Sequence, residues 1–292
     1  MLKIIKTIAE FRQYRATLPV GTEVAFVPTM GALHAGHGSL VVAARKLAPP
    51  PGVVAASIFV NPTQFGPVED FSKYPRTLDT DVAILEVAGC DAVFAPSAEE
   101  MYPGISTLST QHSLMGTSVD PGPLANVLEG AIRPGHFRGV CTVVLKLLNI
   151  VTPTKLVMGQ KDFQQNAVLR QMIRELNVAT EHVMCPTIRE ADGLAMSSRN
   201  RYLSPEQRQR ATAIFEAMRW AAGQWAKGER SGAALEAGMR ARIQEAGLQV
   251  QYALPAHPDT LVPYTGAISG PCVLLVAAVL GSTRLIDNMM LL

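Results

Sequence analysis

The chain has 292 residues, 48% of them hydrophobic and 17% charged, with a formal net charge of +2 at pH 7. That length supplies a full core for one large domain, or one plus a smaller second, and the composition excludes a disordered chain. A charge so near balance argues against a broad nucleic-acid footprint, and the longest clean apolar run, Cys272 to Leu280, is far short of a membrane span.

Met1 to Glu10 is interrupted by Lys3, Lys6 and Thr7, so it lacks the apolar core of a signal peptide. Cys90, Cys141, Cys185 and Cys272 are scattered, with no Cys-x-x-Cys and no His at metal-ligand spacing. They read as core residues of a reducing compartment, and a cytoplasmic protein is expected that meets neither membrane nor nucleic acid.

Glu23 to Val27 reads as a buried strand, and Pro28-Thr29-Met30-Gly31 as the turn after it. A helix can begin from Leu33, which puts His34 and His37, at i and i+3, on one face of its first turn. Unpaired N–H groups and the positive end of the dipole favour an anion there. Gly36 lets a phosphate approach the backbone, and each imidazole donates a hydrogen bond even when neutral. The stretch Met30 to His37 reads as a phosphate cradle. The alternatives are a solvated cap His beside a satisfied buried one, or a metal pair, for which no third ligand lies nearby in sequence.

Apolar runs at Val53 to Val60, Ala92 to Ala95, Leu156 to Met158 and His182 to Cys185 alternate with helix-like segments at Ser39 to Leu47, Asp79 to Gly89, Val140 to Val151 and Phe163 to Leu176. This predicts an α/β fold, a Rossmann-like doubly wound parallel sheet with helices on both faces. Ligands of such sheets bind beyond the carboxyl ends of the strands. Pro28 to His37, Asn61 to Gly66, Gly159 to Gln165 and Pro186 to Arg201 each begin just after a strand, so they are expected to converge on one crevice.

Between Gly104 and Gly139, scattered Gly, Pro and Ser predict a long functional loop, closed by the basic cluster Arg133 to Gly139. Beyond Pro186, helices at Pro205 to Ala226 and Ala233 to Ala246, with strands around Gln249 to Leu254 and Cys272 to Val279, predict a smaller C-terminal α+β lid domain. The expected domains are residues 1–185 and 186–292.

Asn61 and Gln64 offer amides that read a carboxylate or hydroxyl without adding charge, although an ordinary surface turn would look the same. Gly159 permits an unusual backbone angle, Lys161 is a point charge for phosphates, and Asp162 can cap a helix or hold magnesium through water. Gln165 lies four residues after Lys161, so both can face one way. Asp192 to Arg201 has the composition of an anion-binding loop, with Ser197, Ser198 and the Arg199 guanidinium, or of a basic linker. No Ser-His-Asp order, paired glycosidase carboxylates or Walker loop is evident.

Pro28 to Leu40, Phe59 to Gly66, Leu128 to Val151, Gly159 to Gln165 and Ile188 to Leu203, with Thr283 to Asn288 near the end, closely resemble the pantothenate synthetase (pantoate–β-alanine ligase) family. The resemblance runs in order over nearly the whole chain. His-x-Gly-His alone would mark only the wider nucleotidyltransferase superfamily. The resemblance implies ATP-dependent ligation of (R)-pantoate and β-alanine through a pantoyl adenylate, giving pantothenate, AMP and pyrophosphate. It implies that Met30, Gly31, Ala32, Leu33, His34, Ala35, Gly36 and His37 hold ATP, His34 and His37 on its phosphates and His37 as proton donor. Gly159, Gln160, Lys161, Asp162, Ile188, Met196, Ser197, Ser198 and Arg199 would complete that site, with Lys161 and Arg199 also catalytic. Gln64 and Gln165, with Asn61, would hold pantoate, Gln64 also meeting β-alanine. A homodimer that uses magnesium is implied, with no protein ligands of the metal assigned.

Three positions depart from the family pattern. Ala35 and Gln160 stand where acidic residues are common, and Gly38 stands where leucine is. Glycine early in a helix and a lost leucine side chain predict lower stability before altered chemistry. Among rivals, a transferase acting on a phosphorylated acceptor would call for more Arg or Lys in place of Gln64 and Gln165. A regulatory nucleotide-binding module would lack an acceptor site, and a tRNA synthetase would need an anticodon-binding domain.

Overall fold

A computed structural model describes residues 2–66, 71–104 and 116–291. The chain forms two compact units, Met1–Gly159 with Val168–Cys185, and Gln160–Ala167 with Pro186–Leu292. Gln160–Ala167, expected within a domain of residues 1–185, thus group with the second unit.

The first unit runs β1 (Lys3–Ile5), α1 (Ile8–Ala16), β2 (Val24–Thr29), α2 (Ala35–Leu47), β3 (Val53–Ile58), α3 (Leu78–Val87), β4 (Ala92–Phe94), α4 (Ala98–Met101), α5 (Glu129–Ile132), α6 (His136–Val151), β5 (Lys155–Gly159), α7 (Phe163–Glu175) and β6 (Glu181–Cys185). The first residues of α7 belong to the second unit. Six parallel strands lie in the order β1-β4-β3-β2-β5-β6. The order reverses at β2, with β3 on one side and β5 on the other, and such a switch point is where open α/β sheets bind ligands. Side chains alternate across β2, as strand geometry requires. Val24 and Phe26 pack with Phe11, Val144 and Leu169, while Ala25 and Val27 pack with Val41 and Leu85 on the opposite face. Helices therefore cover both faces, which suits the nearly continuous apolar strands.

β2 runs past the expected end at Val27 to include Pro28 and Thr29. The Thr29 carbonyl accepts from Phe59 N on the β3 side at 3.1 Å, which turns the Pro28 nitrogen toward the β5 side. Pairing with β5 is confined to Ala25 and Phe26, so proline costs no ladder bond there. The apolar pattern does not announce β1 or α1, although α1 begins with a capping box in which Glu10 N donates to Thr7 Oγ1 at 3.2 Å and Thr7 N to Glu10 Oε2 at 3.0 Å. The stretch expected as one long loop before Gly139 is helical in α5 and the start of α6; its residues 105–115 lie outside the described residues.

The second unit holds α8 (Pro205–Arg210), α9 (Ala213–Ala226), α10 (Gly232–Glu245), β7 (Gln249–Ala256), β8 (Cys272–Leu280) and β9 (Thr283–Leu291). The strands form an antiparallel sheet in the order β7-β8-β9. Leu274, Val276 and Leu285 from the sheet pack with Ile214, Met218, Leu235, Met239 and Ile243 from α9 and α10. The single helix expected over Pro205 to Ala226 is two, and β9 is a strand the sequence pattern hides, because Arg284, Asp287 and Asn288 interrupt its apolar run. No helix among the described residues is long and apolar enough to cross a membrane.

Candidate active site

The chain leaves β2 through a strained turn in which Gly31 and Ala32 have φ of +85° and +51°. The carboxylate of Asp81, on α3, holds that turn. Its Oδ2 accepts from Ala32 N at 3.0 Å, and its Oδ1 accepts from Leu33 N at 2.8 Å and from the Thr77 hydroxyl at 3.2 Å. Asp81 is 1% exposed, and such charge-assisted bonds offset the cost of a positive φ at alanine. A Cβ at Gly31 would sit 3.0 Å from Asp81 Oδ2, so glycine is what lets the carboxylate approach.

His34 then caps α2 and His37 is the third residue of that helix. Gly36 N donates to His34 Nδ1 at 3.1 Å and His34 N to His37 Nδ1 at 3.3 Å, a reciprocal cap built from two imidazoles whose ring centroids are 4.2 Å apart. Both Nδ1 atoms accept, so each neutral ring carries its hydrogen on Nε2. Two Nε2–H donors are thereby set on the end of a helix whose dipole favours negative charge.

After β3, Asn61 begins a short 3-10 turn, Pro62–Gln64. Its Nδ2 donates to the Gly139 carbonyl at 3.2 Å and to Gln64 Oε1 at 3.0 Å. Its Oδ1 accepts from the Tyr102 hydroxyl at 2.9 Å and from Thr63 Oγ1 at 2.9 Å. A carbonyl only accepts, so Gly139 fixes the Asn61 amide, Asn61 fixes that of Gln64, and Gln64 is left to present Nε2, which lies 2.9 Å from Met30 Sδ. Burial pushes the Tyr102 phenol up to about 12, so it stays a donor. From the other side His136, on α6, holds the Gln64 carbonyl at 2.9 Å from Nδ1, while Arg133 Nη1 lies 3.1 Å from Nε2. Guanidinium only donates, so Nδ1 carries the hydrogen and His136 is neutral. α6 comes close enough to do this because Gly139 has no side chain: a Cβ there would collide with the Thr63 carbonyl oxygen.

In the second unit, Asn288 of β9 donates from Nδ2 to the carbonyls of Gln160 and Lys161, each at 2.9 Å, and Gln160 Nε2 returns a bond to Asn288 Oδ1 at 2.9 Å. Lys161 Nζ lies 3.8 Å from Asp162 Oδ1. Ile188 to Met196 folds back as a hairpin through Met196 N to the Ile188 carbonyl, 3.0 Å, and Glu190 N to that of Leu194, 2.9 Å. Arg189 anchors it, with Nη1 and Nη2 at 2.6 and 3.0 Å from the two oxygens of buried Asp287 and its guanidinium 4.2 Å from the Phe215 ring centroid. Burial pushes the Asp287 carboxyl up, opposed by the Arg189 hydrogen bonds. Ser197 caps the turn Ser198–Tyr202 by accepting from Arg199 N at 3.2 Å, and Arg199 is exposed.

The first unit thus brings Met30 to His37 together with Asn61 and Gln64, and ends β5 at Gly159. The second ties Gln160 and Lys161, through adjacent residues of β9, to the hairpin that leads into Ser197, Ser198 and Arg199; Asp162 and Gln165 follow Lys161 into α7. Asp81 and Tyr102 escape sequence reasoning, and Arg133, His136 and Arg189, although they lie in the stretches Arg133 to Gly139 and Pro186 to Arg201, gain a role only through the residues they hold. Burial pushes the thiols of Cys90 and Cys141 up to about 12, which makes them inert. Among the described residues no three His, Cys, Asp or Glu side chains are grouped to hold a metal ion.

Residues 3–290 match the family model described as pantoate-beta-alanine ligase. The pantothenate synthetase of Chloroflexus aggregans is 50% identical over 292 residues, covering 100% of both chains. A crystal structure of pantothenate synthetase from Thermus thermophilus superposes with a TM-score of 0.89 at 43% identity, covering 99% of both chains. That of a pantoate-beta-alanine ligase from Francisella tularensis, complexed with beta-gamma ATP and beta-alanine, gives 0.79 at 34% identity over 99% of this chain and 98% of that one.

Proposed function

The chain belongs to the pantoate-beta-alanine ligase family and joins pantoate to β-alanine at the expense of ATP; from that premise we propose how its residues divide the work. The observation that carries the reading is the imidazole pair, whose Nδ1 atoms are both committed to the helix cap so that both Nε2–H groups serve as donors.

The carboxylate of pantoate is ionised at neutral pH and needs no activating base. Its oxygen attacks the α-phosphorus, a P–O bond forms, and the bond to pyrophosphate breaks with its electron pair leaving on pyrophosphate. Catalysis is then positioning and charge stabilisation. His34 and His37 donate hydrogen bonds from Nε2–H to phosphate oxygens, and the neutral ring makes His37 a hydrogen-bond donor to the developing charge and not the source of a transferred proton. Lys161 and Arg199 are the cations on the polyphosphate, and Ser197 and Ser198 add hydroxyl donors. The Met30 to Gly36 turn, Gly159, Gln160, Asp162, Ile188 and Met196 complete the contacts with ATP. Gln64 offers Nε2 to pantoate, joined by Gln165, while Asn61, 1% exposed and bonded at both ends of its amide, acts through Gln64. In the second step the amine of β-alanine attacks the acyl carbon of the adenylate, AMP leaves, and its phosphate takes the proton the amine gives up. Magnesium would enter with ATP, because it dehydrates reluctantly and is seldom held by protein side chains alone; Asp162 is the residue that could hold it through water, and the metal would supply charge neutralisation on the phosphates.

The four cysteines are all free thiols, which suits a cytoplasmic enzyme. We expect a homodimer, with no nucleic acid or membrane among its partners.

The test is pyrophosphate release from ATP and magnesium, with and without pantoate, followed by β-alanine. Pantoate-dependent release, then AMP and pantothenate on adding β-alanine, is the expected result; release that ignores pantoate overturns the adenylate. His37→Ala is expected to slow the first step by about 10²–10³-fold with the fold intact. Near-normal turnover of that variant would remove His37 from the chemistry.

A further inference from the structure

Thr283 to Asn288 belongs to the family resemblance, yet the reaction as set out above uses none of its side chains. β9 carries this segment with Leu285, Met289 and Leu291 toward the helix-covered face of its sheet, so Asp287 shares that face and Asn288 points to the other. Both are buried, 4% and 2% exposed. A buried polar side chain costs free energy unless its hydrogen-bonding groups are met, and the partners of Asn288 are telling. Its Nδ2 meets two backbone carbonyls, of Gln160 and Lys161, and its Oδ1 meets the Gln160 amide. All three bonds converge on two consecutive residues. Next to it, Asp287 accepts from Asn288 N at 2.8 Å and grips Arg189, which in turn donates to the Gly193 carbonyl at 3.0 Å.

We propose that Asn288 is a positioning residue for ATP: it pins the backbone of Gln160 and Lys161, and so sets where the Lys161 ammonium can reach. The lysine stem has four rotatable carbons and no bidentate geometry of its own, so the placement of its backbone is what makes its charge directional. Asp287, through Arg189, steadies the hairpin that leads to Ser197 and Arg199. The inference rests on the reading of Lys161 as a ligand of the polyphosphate.

Asn288→Asp keeps the size of the side chain but sets an acceptor against two carbonyls, whereas Asn288→Ala removes the bonds and leaves a hole. With the full-length enzyme, both are expected to raise KM for ATP about tenfold or more, Asn288→Asp at least as much as Asn288→Ala, with KM for pantoate and β-alanine within about twofold of wild type. In a Lys161→Ala background the Asn288 variants should add little, as expected of residues acting as one unit. Native-state hydrogen exchange should show lost protection at Lys161 and Asp162 but not in β8. A wild-type KM for ATP in Asn288→Asp, full additivity with Lys161→Ala, or lost protection throughout the second unit would each overturn the proposal, the last by making Asn288 a folding residue. If Lys161→Ala alone leaves KM for ATP unchanged, the phosphate role of Lys161 fails first, and the inference falls with it.

Discussion

His34, His37 and His136 share a ring and differ in tautomer, and their neighbours decide which. Backbone N–H groups turn Nδ1 of the first two into acceptors, whereas Arg133 makes Nε2 of the third the acceptor. The spacing of His34 and His37 is legible in the sequence because one helical turn brings i and i+3 together. The identity of their partners is not, since Asp81 reaches their turn from 48 residues away in the chain. Gly38 is a residue whose effect is separable from this chemistry. It is the fourth residue of α2, and a Cβ there would lie 3.7 Å from Ile84 Cγ2, an ordinary contact. Gly38→Ala is expected to stabilise the protein by ~0.5–1 kcal/mol, raising the thermal midpoint by about 2 °C with kcat unchanged. A lower midpoint in a thermal melt would show that the helix start needs glycine at that position.

Among the elements, α6 is recognisable from its apolar periodicity, but its close approach to the 3-10 turn that carries Gln64 is not. Glycine at 139 is what allows that approach. Gly139→Ala is expected to push Thr63 and Gln64 aside at a cost of about 1–3 kcal/mol, raising KM for pantoate more than KM for ATP; substrate kinetics with equal increases for both would refute that division. β6 carries a different burden. His182 Nε2 is buried with no hydrogen-bond partner among the described residues, and burial, helped by the Arg170 charge, lowers this imidazole from 6.5 to about 4. Below pH 6.5 the unfolded chain binds a proton that the folded one refuses. Stability is therefore full above about pH 6.5 and is lost as pH falls toward about 4. Urea midpoints compared at pH 7 and pH 5 should fall less for His182→Phe than for wild type; parallel losses would assign the acid sensitivity elsewhere.

At the scale of the whole molecule, the two compact units do not follow chain order, because Gln160–Ala167 leaves the β5 strand and groups with the C-terminal residues. Periodicity cannot show this: the segment reads as a turn that opens α7, and the residue that Gln160 and Lys161 meet, Asn288 of β9, lies more than a hundred residues later. If, as proposed, ATP brings in the magnesium, the metal serves the reaction and not the fold. A chelator is expected to abolish pyrophosphate release while leaving the thermal midpoint of the ligand-free protein in place, and a chelator-induced fall in that midpoint would point to a metal bound by the protein itself.

By itself the sequence determined the strand and helix alternation, the parallel sheet it implies, the placement of the polar motifs after strands, and the family they resemble. Those features are local or repeat along the chain, where the 3.6- and 2-residue periods make them readable. Only the tertiary structure decided which hydrogen-bonding groups of each candidate site residue are committed within the protein. The Gly139 carbonyl sets the amide of Gln64 through Asn61, the Asp81 carboxylate holds the turn before His34, and Asn288 fixes the backbone that carries Lys161. Each is a contact between residues far apart in the chain, and a buried polar group must find its partner in space rather than in sequence.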